Sequence, residues 1–228
     1  MNKELFDFLS QFVMPERLDL FNRMAALRTR YLTVAIEDVF QPQNASAVLR
    51  TSDCFGIQDV HIIENKNEYR INPDVALGSF QWLDMYRYNS KAFNTPEAIQ
   101  NLRSKGYRIV ATTPHINDVS LDDFDLSKGK VAFVFGTELE GLTAEVLDNA
   151  DEYLKIPIYG FTESFNISVS AAIILHHLSR KLRLSDINWN LSEDEQIEIK
   201  IKWLKQSIKK SDLLIERFMA EKAKSVRL

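Results

Sequence analysis

Three segments of the chain place polar side chains where stretches predicted to be β-strands end. The first, at 41–50, reads Gln-Pro-Gln-Asn-Ala-Ser-Ala-Val-Leu-Arg. The second, at 135–142, carries two glutamates between two glycines, and the third, at 156–168, contains Ser164 and Asn166. Ligands of open parallel sheets bind at the carboxyl ends of the strands, where loops converge. The amide, guanidinium, carboxylate and hydroxyl groups of these segments are therefore candidates for one site that binds a polar ligand.

Each segment taken by itself also has a purely structural interpretation, because helix caps and turns use the same residue types. Asn44 is a good helix N-cap, and Gly136 and Gly141 are typical of turns. Ser164 or Asn166 can begin the helix that follows. The functional interpretation depends on the three segments occurring together.

Composition excludes several classes of site. The 228 residues are 45% hydrophobic and 26% charged, which is typical of a folded globular protein. The seven glycines do not have the spacing of a dinucleotide-binding fingerprint or of a P-loop. Cys54 is the only cysteine, and the four histidines lack the spacing of metal ligands. We therefore expect no disulfide within the chain and no metal site.

The apolar stretches and the charges of the sequence predict where the protein is located and what it binds. No stretch approaches the length of a membrane span, so we predict a cytoplasmic protein. The net charge of −4 argues against a protein that coats nucleic acid indiscriminately. Basic side chains nevertheless gather near the two ends of the chain, at 17–30 and 180–210. These ends are either sites for a polyanion or the solvated faces of surface helices.

An alternation of strands and helices must position the polar segments. The predicted strands are 32–36, 60–63, 108–112, 131–135 and 153–156, and the predicted helices are 15–28, one between Asn44 and Gly56, 95–104, one beginning near Thr143, and 167–182. Apolar strands that alternate with helices indicate an α/β fold, with a mostly parallel sheet covered by helices on both faces.

The chain contains no repeat and no low-complexity linker, so we predict a single domain over 1–228. A helical N-terminal extension is expected at about 1–30, and a long amphipathic C-terminal helix at about 193–222. The predicted helix at 167–182 is apolar nearly all round, which indicates burial on more than one side. Either the core of the chain or a second subunit is expected to cover it.

The three segments together resemble the three sequence motifs of the SPOUT superfamily, and in particular its TrmH (SpoU) family of tRNA guanosine 2′-O-methyltransferases. The resemblance is carried by N-A-S-A-V-L-R-T-S-D-C-F-G from Asn44, F-V-F-G-T-E-L-E-G-L-T from Phe133, and I-P-I-Y-G-F-T-E-S-F-N-I-S-V-S-A-A from Ile156. It implies a C-terminal trefoil knot, a homodimer, S-adenosyl-L-methionine as cofactor and tRNA as substrate. Guanosine 18 of the D-loop is the nucleotide that the resemblance implies.

The resemblance also assigns roles to individual residues. The family's catalytic positions fall on Asn44, Arg50, Glu138, Ser164 and Asn166. Its contacts with S-adenosylmethionine, largely through main-chain groups, fall on Thr112, Gly136, Ile156 and Phe165. The sequence departs from the family pattern at Phe165, where leucine is common, and at Leu139-Glu140, where a Lys-Trp or Lys-Thr pair is more usual.

Methyl transfer fits these residue types. A sulfonium carries its own electrophile, so no metal is required, whereas a ribose 2′-hydroxyl needs positioning and help in losing its proton. An arginine side chain keeps its proton at neutral pH. We therefore expect the Arg50 guanidinium to fork onto a substrate phosphate and the ribose, with that phosphate or water taking the proton. Glu138 is expected to orient loops or Arg50, and Ser164 and Asn166 to position the ribose or support the knot.

Three alternatives remain open at the level of the sequence. A ribosomal RNA ribose 2′-O-methyltransferase of the same superfamily is the nearest. A catalytically silent RNA-binding dimer with the same fold is the second, although it would have no need of the full set of catalytic positions. The third is an unrelated small-molecule α/β enzyme, for which the chain offers no nucleotide fingerprint and no Ser-His-Asp signature.

Overall fold

The computed structural model describes residues 2–113, 119–137 and 140–225. Two compact units make up the chain: an α/β unit at 29–189, and a helical unit that combines 1–28 with 190–228. The helical unit contains both terminal segments that the sequence sets apart. The interpretation of the whole chain as one domain stays a prediction.

The described strands of the α/β unit form one parallel sheet. They are β1 (Leu32–Glu37), β2 (Asp59–Ile63), β3 (Asp84–Tyr88), β4 (Arg108–Thr112), β5 (Val119–Ser120), β6 (Val131–Phe135) and β7 (Glu152–Lys155). Their order across the sheet is β3-β2-β1-β6-β4-β7-β5, and every neighbouring pair is parallel. The central strands β1 and β6 are buried along their whole length, as expected of strands covered on both faces. The predicted α/β fold is confirmed, while the trefoil knot stays a prediction.

Helices occupy both units. They are α1 (Asn2–Ser10), α2 (Pro15–Ala26), α3 (Pro42–Cys54), α4 (Pro73–Ala76), α5 (Thr95–Ser104), α6 (Ala144–Asp148), α7 (Ile167–Arg183), α8 (Glu193–Ser207) and α9 (Ser211–Ser225). Short 3-10 turns occur at Ser79–Trp82 and Leu126–Lys128. Within the described ranges, no helix combines the length and the apolarity needed to cross a membrane.

Two apolar clusters cover the two faces of the sheet. In β6, Phe133 and Phe135 belong to one cluster, and Ala132 and Val134 belong to the other. This alternation follows from the pleat, which points successive side chains to opposite faces. The first cluster includes residues of α3 and α7, which pack against each other, and the second includes residues of α5 and α6. The loops at the carboxyl ends of the strands therefore emerge from a firmly packed support.

The helix α7 is less buried than its sequence predicts. Its buried residues, among them Ala171, Ile174 and Leu178, lie on one side and join the first cluster. On the other side, Val169 is 44% exposed, because no other part of the described chain covers it. The prediction that the core of the chain buries this helix on more than one side is wrong. The alternative, coverage by a second subunit, stays a prediction.

In the helical unit, α8 packs against α1 and α2, and the rings of Phe21 and Trp203 lie 5.6 Å apart. The predicted continuous helix at about 193–222 is in fact two helices, α8 and α9. Lys210 interrupts it with a φ of 59°, a left-handed conformation that a helix cannot contain. The Ser211 hydroxyl donates a hydrogen bond to the Lys205 carbonyl at 3.0 Å, which satisfies an acceptor left free at the end of α8.

Candidate active site

A cavity of about 280 Å³ lies at the carboxyl ends of β4, β6 and β7. Thr112 and Thr113 line it at the end of β4, residues of 135–142 line it after β6, and residues of 156–165 line it after β7. The first turns of α7 complete the wall. The second and third polar segments of the sequence therefore meet at one cavity.

Two hydrogen bonds join Thr137 and Gly141 in the segment that follows β6. The Thr137 amide donates to the Gly141 carbonyl at 2.9 Å, and the Gly141 amide donates to the Thr137 carbonyl at 3.1 Å. A Cβ atom on Gly136 would lie 2.2 Å from the Gly141 carbonyl oxygen. Only glycine fits at this position, and its main chain can therefore border the cavity directly.

All four residues that the family resemblance assigns to S-adenosylmethionine line this cavity: Thr112, Gly136, Ile156 and Phe165. The Thr112 hydroxyl donates to the Val134 carbonyl at 2.8 Å, which joins the ends of β4 and β6. These four residues share one location, and their contacts with the cofactor stay a prediction.

Two predicted catalytic residues are in direct contact. The side-chain amide of Asn166 donates to the side-chain carbonyl of Asn44 at 3.2 Å, across 122 residues of sequence. Asn166 also caps α7, since its side-chain oxygen accepts from the Ser168 amide at 2.8 Å and from the Ser168 hydroxyl at 2.6 Å. The first and third polar segments are thereby joined at the beginning of α7.

The sequence suggested Asn44 as the N-cap of α3, but in the structure it does not cap this helix. The helix begins two residues earlier, at Pro42, with Gln41 as its N-cap. Proline suits the first helical position because its missing N–H has no partner there in any helix. Asn44 therefore lies in the first turn, where it is 9% exposed and its amide donates to the Gln41 side chain at 3.3 Å. Its side-chain oxygen accepts from the Asn166 side-chain amide.

The remaining predicted catalytic residues are placed differently from one another. Ser164 lines the cavity. Arg50 is exposed on α3 and is not among the residues that line the cavity. It lies six positions after Asn44 in the same helix, so the two side chains point about 120° apart and lie about 9 Å apart along the helix axis. Glu138 lies outside the described residues.

A set of carboxylates at the ends of β1 and β2 escaped sequence reasoning. Asp38 has a φ of 53°, and one of its side-chain oxygens accepts from the amides of three successive residues, 65–67, at 2.7 to 3.1 Å. Glu64 forms a two-bond ion pair with Arg87, at 2.8 and 3.0 Å. Glu37 accepts hydrogen bonds from Thr95 and Thr143. The signal that could have found them is an acidic residue directly after a run of buried strand residues.

The loop after β6 also reaches the segment after β2. The Lys66 ammonium donates to the Glu140 carboxylate at 2.9 Å, and both side chains are exposed. This hydrogen bond raises the pKa of Lys66. Because the pair is exposed and screened by solvent, it contributes little to stability. It nevertheless brings Glu140, the one charged side chain among the described residues that line the cavity, into contact with a cation.

Two arginines of the basic group at 17–30, Arg28 and Arg30, make contacts within the protein. Arg28 is only 6% exposed, and its guanidinium lies 5.4 Å from the Trp203 ring centre. Arg30 pairs with Asp59 at 2.9 Å and with Asp84 at 2.7 Å. Of the four arginines at 17–30, Arg28 and Arg30 are therefore occupied within the protein, and a role for the basic ends in binding a polyanion stays a prediction. Arg23, Lys209 and Lys210 are exposed.

Among the residues that the structure describes, no three His, Cys, Asp or Glu side chains are grouped so that they could hold a metal ion. The cavity is bordered by main-chain groups, hydroxyls, apolar side chains and the Glu140 carboxylate instead. This lining suits an organic ligand with both apolar and hydrogen-bonding parts.

Comparison with known proteins agrees with this geometry. Residues 31–176 match the model of the SpoU rRNA Methylase family. A tRNA (guanosine(18)-2′-O)-methyltransferase of Borreliella burgdorferi is 46% identical over 201 residues, which cover 88% of this chain and 90% of the relative. The crystal structure of the TrmH/SpoU tRNA modifying enzyme of A. aeolicus superposes with a TM-score of 0.75 at 27% identity, and covers 86% of this chain and 98% of that one.

An AdoMet-bound rRNA methyltransferase from Sinorhizobium meliloti shares the fold, with a TM-score of 0.59 at 24% identity over 70% of this chain and 59% of that chain. The matched family region, 31–176, contains the first two polar segments and the third through the beginning of α7. The cavity and the contact between Asn44 and Asn166 are thus both built within it. The chain belongs to the SpoU rRNA methylase family of methyltransferases.

Proposed function

We propose that this chain transfers a methyl group from S-adenosyl-L-methionine to the ribose 2′-oxygen of guanosine 18 in the D-loop of tRNA. The relative from Borreliella burgdorferi bears this activity in its name and matches most of the chain. The observation that carries the proposal is the meeting of the second and third polar segments at one cavity, with Asn166 of the third bonded to Asn44 of the first.

The cavity suits S-adenosylmethionine in its chemistry. Aliphatic side chains, among them Leu142, Leu154 and Ile174, suit an adenine ring, and the main chain beside Thr112 and Gly136 offers hydrogen-bonding groups at its edge. When bound, the cofactor supplies an electrophilic methyl group. Thr112, Gly136, Ile156 and Phe165 are the residues that we assign to holding it.

The residues of the chain then have to prepare the ribose hydroxyl. We assign Arg50 to the RNA, where its fork binds a phosphate and the ribose and lowers the pKa of the hydroxyl. The proton passes to that phosphate or to water as the 2′-oxygen gains the methyl group. Asn166 and Ser164 position the ribose, Asn44 fixes Asn166, and Glu138 orients the loop after β6 or Arg50.

The decisive experiment incubates the protein with labelled S-adenosylmethionine and unmodified total tRNA, and maps the methylated nucleotide. We expect label at the 2′-oxygen of guanosine 18. Ribosomal RNA without its modifications is the matched second substrate. Label in ribosomal RNA alone would identify the protein as a ribosomal RNA ribose methyltransferase, and RNA binding without label would identify a catalytically silent dimer.

A homodimer belongs to the same proposal. In one copy of the chain, Arg50 is exposed and does not line the cavity, and Val169 is left uncovered on α7. A second copy of the chain would cover α7 and bring Arg50 to the cavity of its partner. Sedimentation of the free protein gives its oligomeric state. Mixing inactive Arg50→Ala protein with inactive Gly136→Val protein is expected to restore about a quarter to a half of the activity, because one site of a mixed dimer has both residues intact.

The tRNA body would contact exposed cations outside the cavity. We assign this role to Arg23, Lys209 and Lys210. Replacing all three by glutamine is expected to raise the KM for tRNA and to reduce its salt slope by about 2 to 3, with S-adenosylmethionine affinity unchanged. The control replaces the exposed cations Lys66, Arg70 and Lys91. The proposal places the enzyme in the cytoplasm, where cell fractionation can locate it.

A further inference from the structure

We infer that Glu37 is a positioning residue for the methyl-donor cavity, and that it acts by holding Thr143 at the exit of the loop after β6. This inference rests on the proposed function, because it concerns how the same cavity is kept in shape. Glu37 does not line the cavity and was not a candidate site residue in the sequence. It is the last residue of β1 and is 1% exposed.

The contacts of Glu37 are short and specific. Its Oε2 accepts from the Thr143 amide at 2.9 Å, and its Oε1 accepts from the Thr143 hydroxyl at 2.8 Å, across 106 residues of sequence. The Thr95 hydroxyl donates to the same Oε1 at 2.6 Å. Every one of these partners is a donor, so a carboxylate, which only accepts, satisfies all three. A buried carboxylate would be costly without such partners.

Thr143 is where the loop after β6 ends. The two residues before Thr143, Gly141 and Leu142, line the cavity. Gly136 lines the cavity at the other end of the loop. The beginning of the loop is fixed by β6 and by the close approach of Gly136 to Gly141. The exit has no strand to hold it. Glu37 supplies that restraint from the neighbouring strand β1, so that both ends of the loop are set relative to the sheet.

Thr143 has a second role that reinforces the first. It is the N-cap of α6, and its hydroxyl accepts from the Val146 amide at 3.4 Å. One side chain therefore joins the loop, α6 and the buried carboxylate. Loss of the Thr143 hydroxyl removes one of the two hydrogen bonds from Thr143 to Glu37 and leaves only the one from its amide. The cavity wall formed by Gly141 and Leu142 is then held less firmly relative to β1.

Thr95 provides a matched control for this inference. Its hydroxyl donates to the same oxygen of Glu37, and the residue is fully buried, but it lies in α5 and does not line the cavity. A merely structural role for Glu37 predicts that Thr95→Val and Thr143→Val have similar effects. A positioning role predicts that only Thr143→Val changes cofactor binding.

The test measures S-adenosylmethionine binding by calorimetry and steady-state kinetics with tRNA, alongside thermal unfolding. Thr143→Val is expected to raise the Kd and the KM for S-adenosylmethionine about tenfold, with kcat at saturating cofactor and the KM for tRNA within about twofold. Thr95→Val is expected to leave the Kd within about twofold while lowering the unfolding temperature. Thr143→Ser keeps the hydroxyl and should restore the wild-type Kd.

Equal Kd values for Thr143→Val and Thr95→Val would overturn the inference, as would a Thr143→Val variant that changes only kcat. If Thr143→Val does not fold, Glu37→Gln carries the same test, since it keeps the shape of the side chain and replaces one acceptor by a donor. Its Kd must then rise relative to Thr95→Val, or the inference fails. A wild-type protein that does not bind S-adenosylmethionine would contradict the proposed function itself. Wild-type binding with no difference between the two valine variants would contradict only the role of Glu37.

Discussion

The carboxyl edge of the sheet has two halves that contain similar polar residues but use them differently. At the ends of β1 and β2, Asp38 and Glu64 are saturated by three backbone amides and by Arg87. At the ends of β4, β6 and β7, Thr112, Gly136 and Ser164 face an open cavity. One half uses its polar groups to hold loops in place, and the other leaves them facing space that a ligand can fill.

The comparison teaches that residue type at a strand end does not identify a site. A buried carboxylate with all its acceptors occupied belongs to the support, however much it resembles a catalytic acid. Glu37 lies at the boundary, since it ends β1 and bonds to the loop that borders the cavity. We call the ends of β4, β6 and β7 the open half, and the ends of β1 and β2 the paired half. Substitutions in the open half should therefore change binding or turnover, and substitutions in the paired half should change stability.

The largest effect is expected from Arg50→Ala. We expect methyl transfer to fall about a thousandfold or more, because no other group replaces a guanidinium that binds the reacting nucleotide. Folding and S-adenosylmethionine affinity should be nearly unchanged, since Arg50 is exposed. Arg50→Lys should also be poor because a point charge lacks the two-bond fork. Arg70→Ala, an exposed arginine of the paired half, is the control. Wild-type turnover by either Arg50 variant would contradict the assignment.

Gly136→Val should abolish tight cofactor binding. Its Cβ would lie 2.2 Å from the Gly141 carbonyl, so the loop after β6 has to open and the cavity loses its shape. We expect the Kd for S-adenosylmethionine to rise about a hundredfold or more, measured by calorimetry. Gly160→Ala is the matched control, because a Cβ there meets nothing within 4 Å. An unchanged Kd for Gly136→Val would mean that the cofactor binds elsewhere.

In the paired half, Glu64→Gln should reduce the stability of the protein without changing its affinity for S-adenosylmethionine. The substitution breaks a two-bond ion pair with Arg87 and weakens a hydrogen bond from the Tyr69 amide at 3.2 Å. We expect a loss of about 1–3 kcal/mol in the free energy of unfolding. Glu68→Gln, at an exposed pair with Arg70, should cost less than about 0.5 kcal/mol. A Glu64 variant with weaker S-adenosylmethionine binding would remove the distinction between the two halves.

The smallest expected effect concerns His61 of β2, which is fully buried and contacts the Tyr88 hydroxyl at 2.8 Å. Burial lowers its pKa from 6.5 to about 3. Between these values the unfolded chain binds a proton that the folded chain does not, so stability falls as the pH falls. This histidine should cost about 2 kcal/mol at pH 5 relative to pH 7.5.

Urea unfolding at the two pH values measures this difference for the wild type and for His61→Phe. The variant should lose less stability at pH 5 than the wild type does. His176→Phe, at an exposed histidine, is the control and should follow the wild type. A His61 variant with the wild-type pH dependence would show that the histidine is protonated in the folded protein.

The sequence predicted the core of the fold because its strands are unambiguous. Val131–Phe135 is an uninterrupted apolar run, and the structure confirms it as β6 with the same bounds. β3 was missed because Asp84, Arg87 and two tyrosines make its sequence look like a surface loop, whereas it is an edge strand. The sequence predicts one helix at about 193–222 where the structure has α8 and α9, because apolar spacing continues across Lys210. Periodicity carries no information about a residue with left-handed backbone angles.

Only part of the candidate site could be predicted from the sequence. Because parallel strands share a carboxyl edge, the sequence predicted that the segments at 135–142 and 156–168 meet, and both line one cavity. Thr112 was indicated only by the family resemblance. The contact between Asn44 and Asn166 depends on how α3 and α7 pack, and no local spacing contains that information. Glu37 was overlooked because a lone acidic residue after a strand is common, and its partners lie 58 and 106 residues away.

The strand order has a consequence for how the chain is made. β1 pairs with β2 soon after both are synthesised, but its other neighbour is β6, about a hundred residues later. At roughly 5–20 residues per second, a ribosome takes about 5–20 s to produce that stretch. During this interval, the newborn chain displays one unpaired edge of a strand that is buried along its whole length in the folded protein, a template for pairing with other chains. Nascent chains that stop before residue 131 are therefore the form of this protein most prone to self-association and most in need of a chaperone.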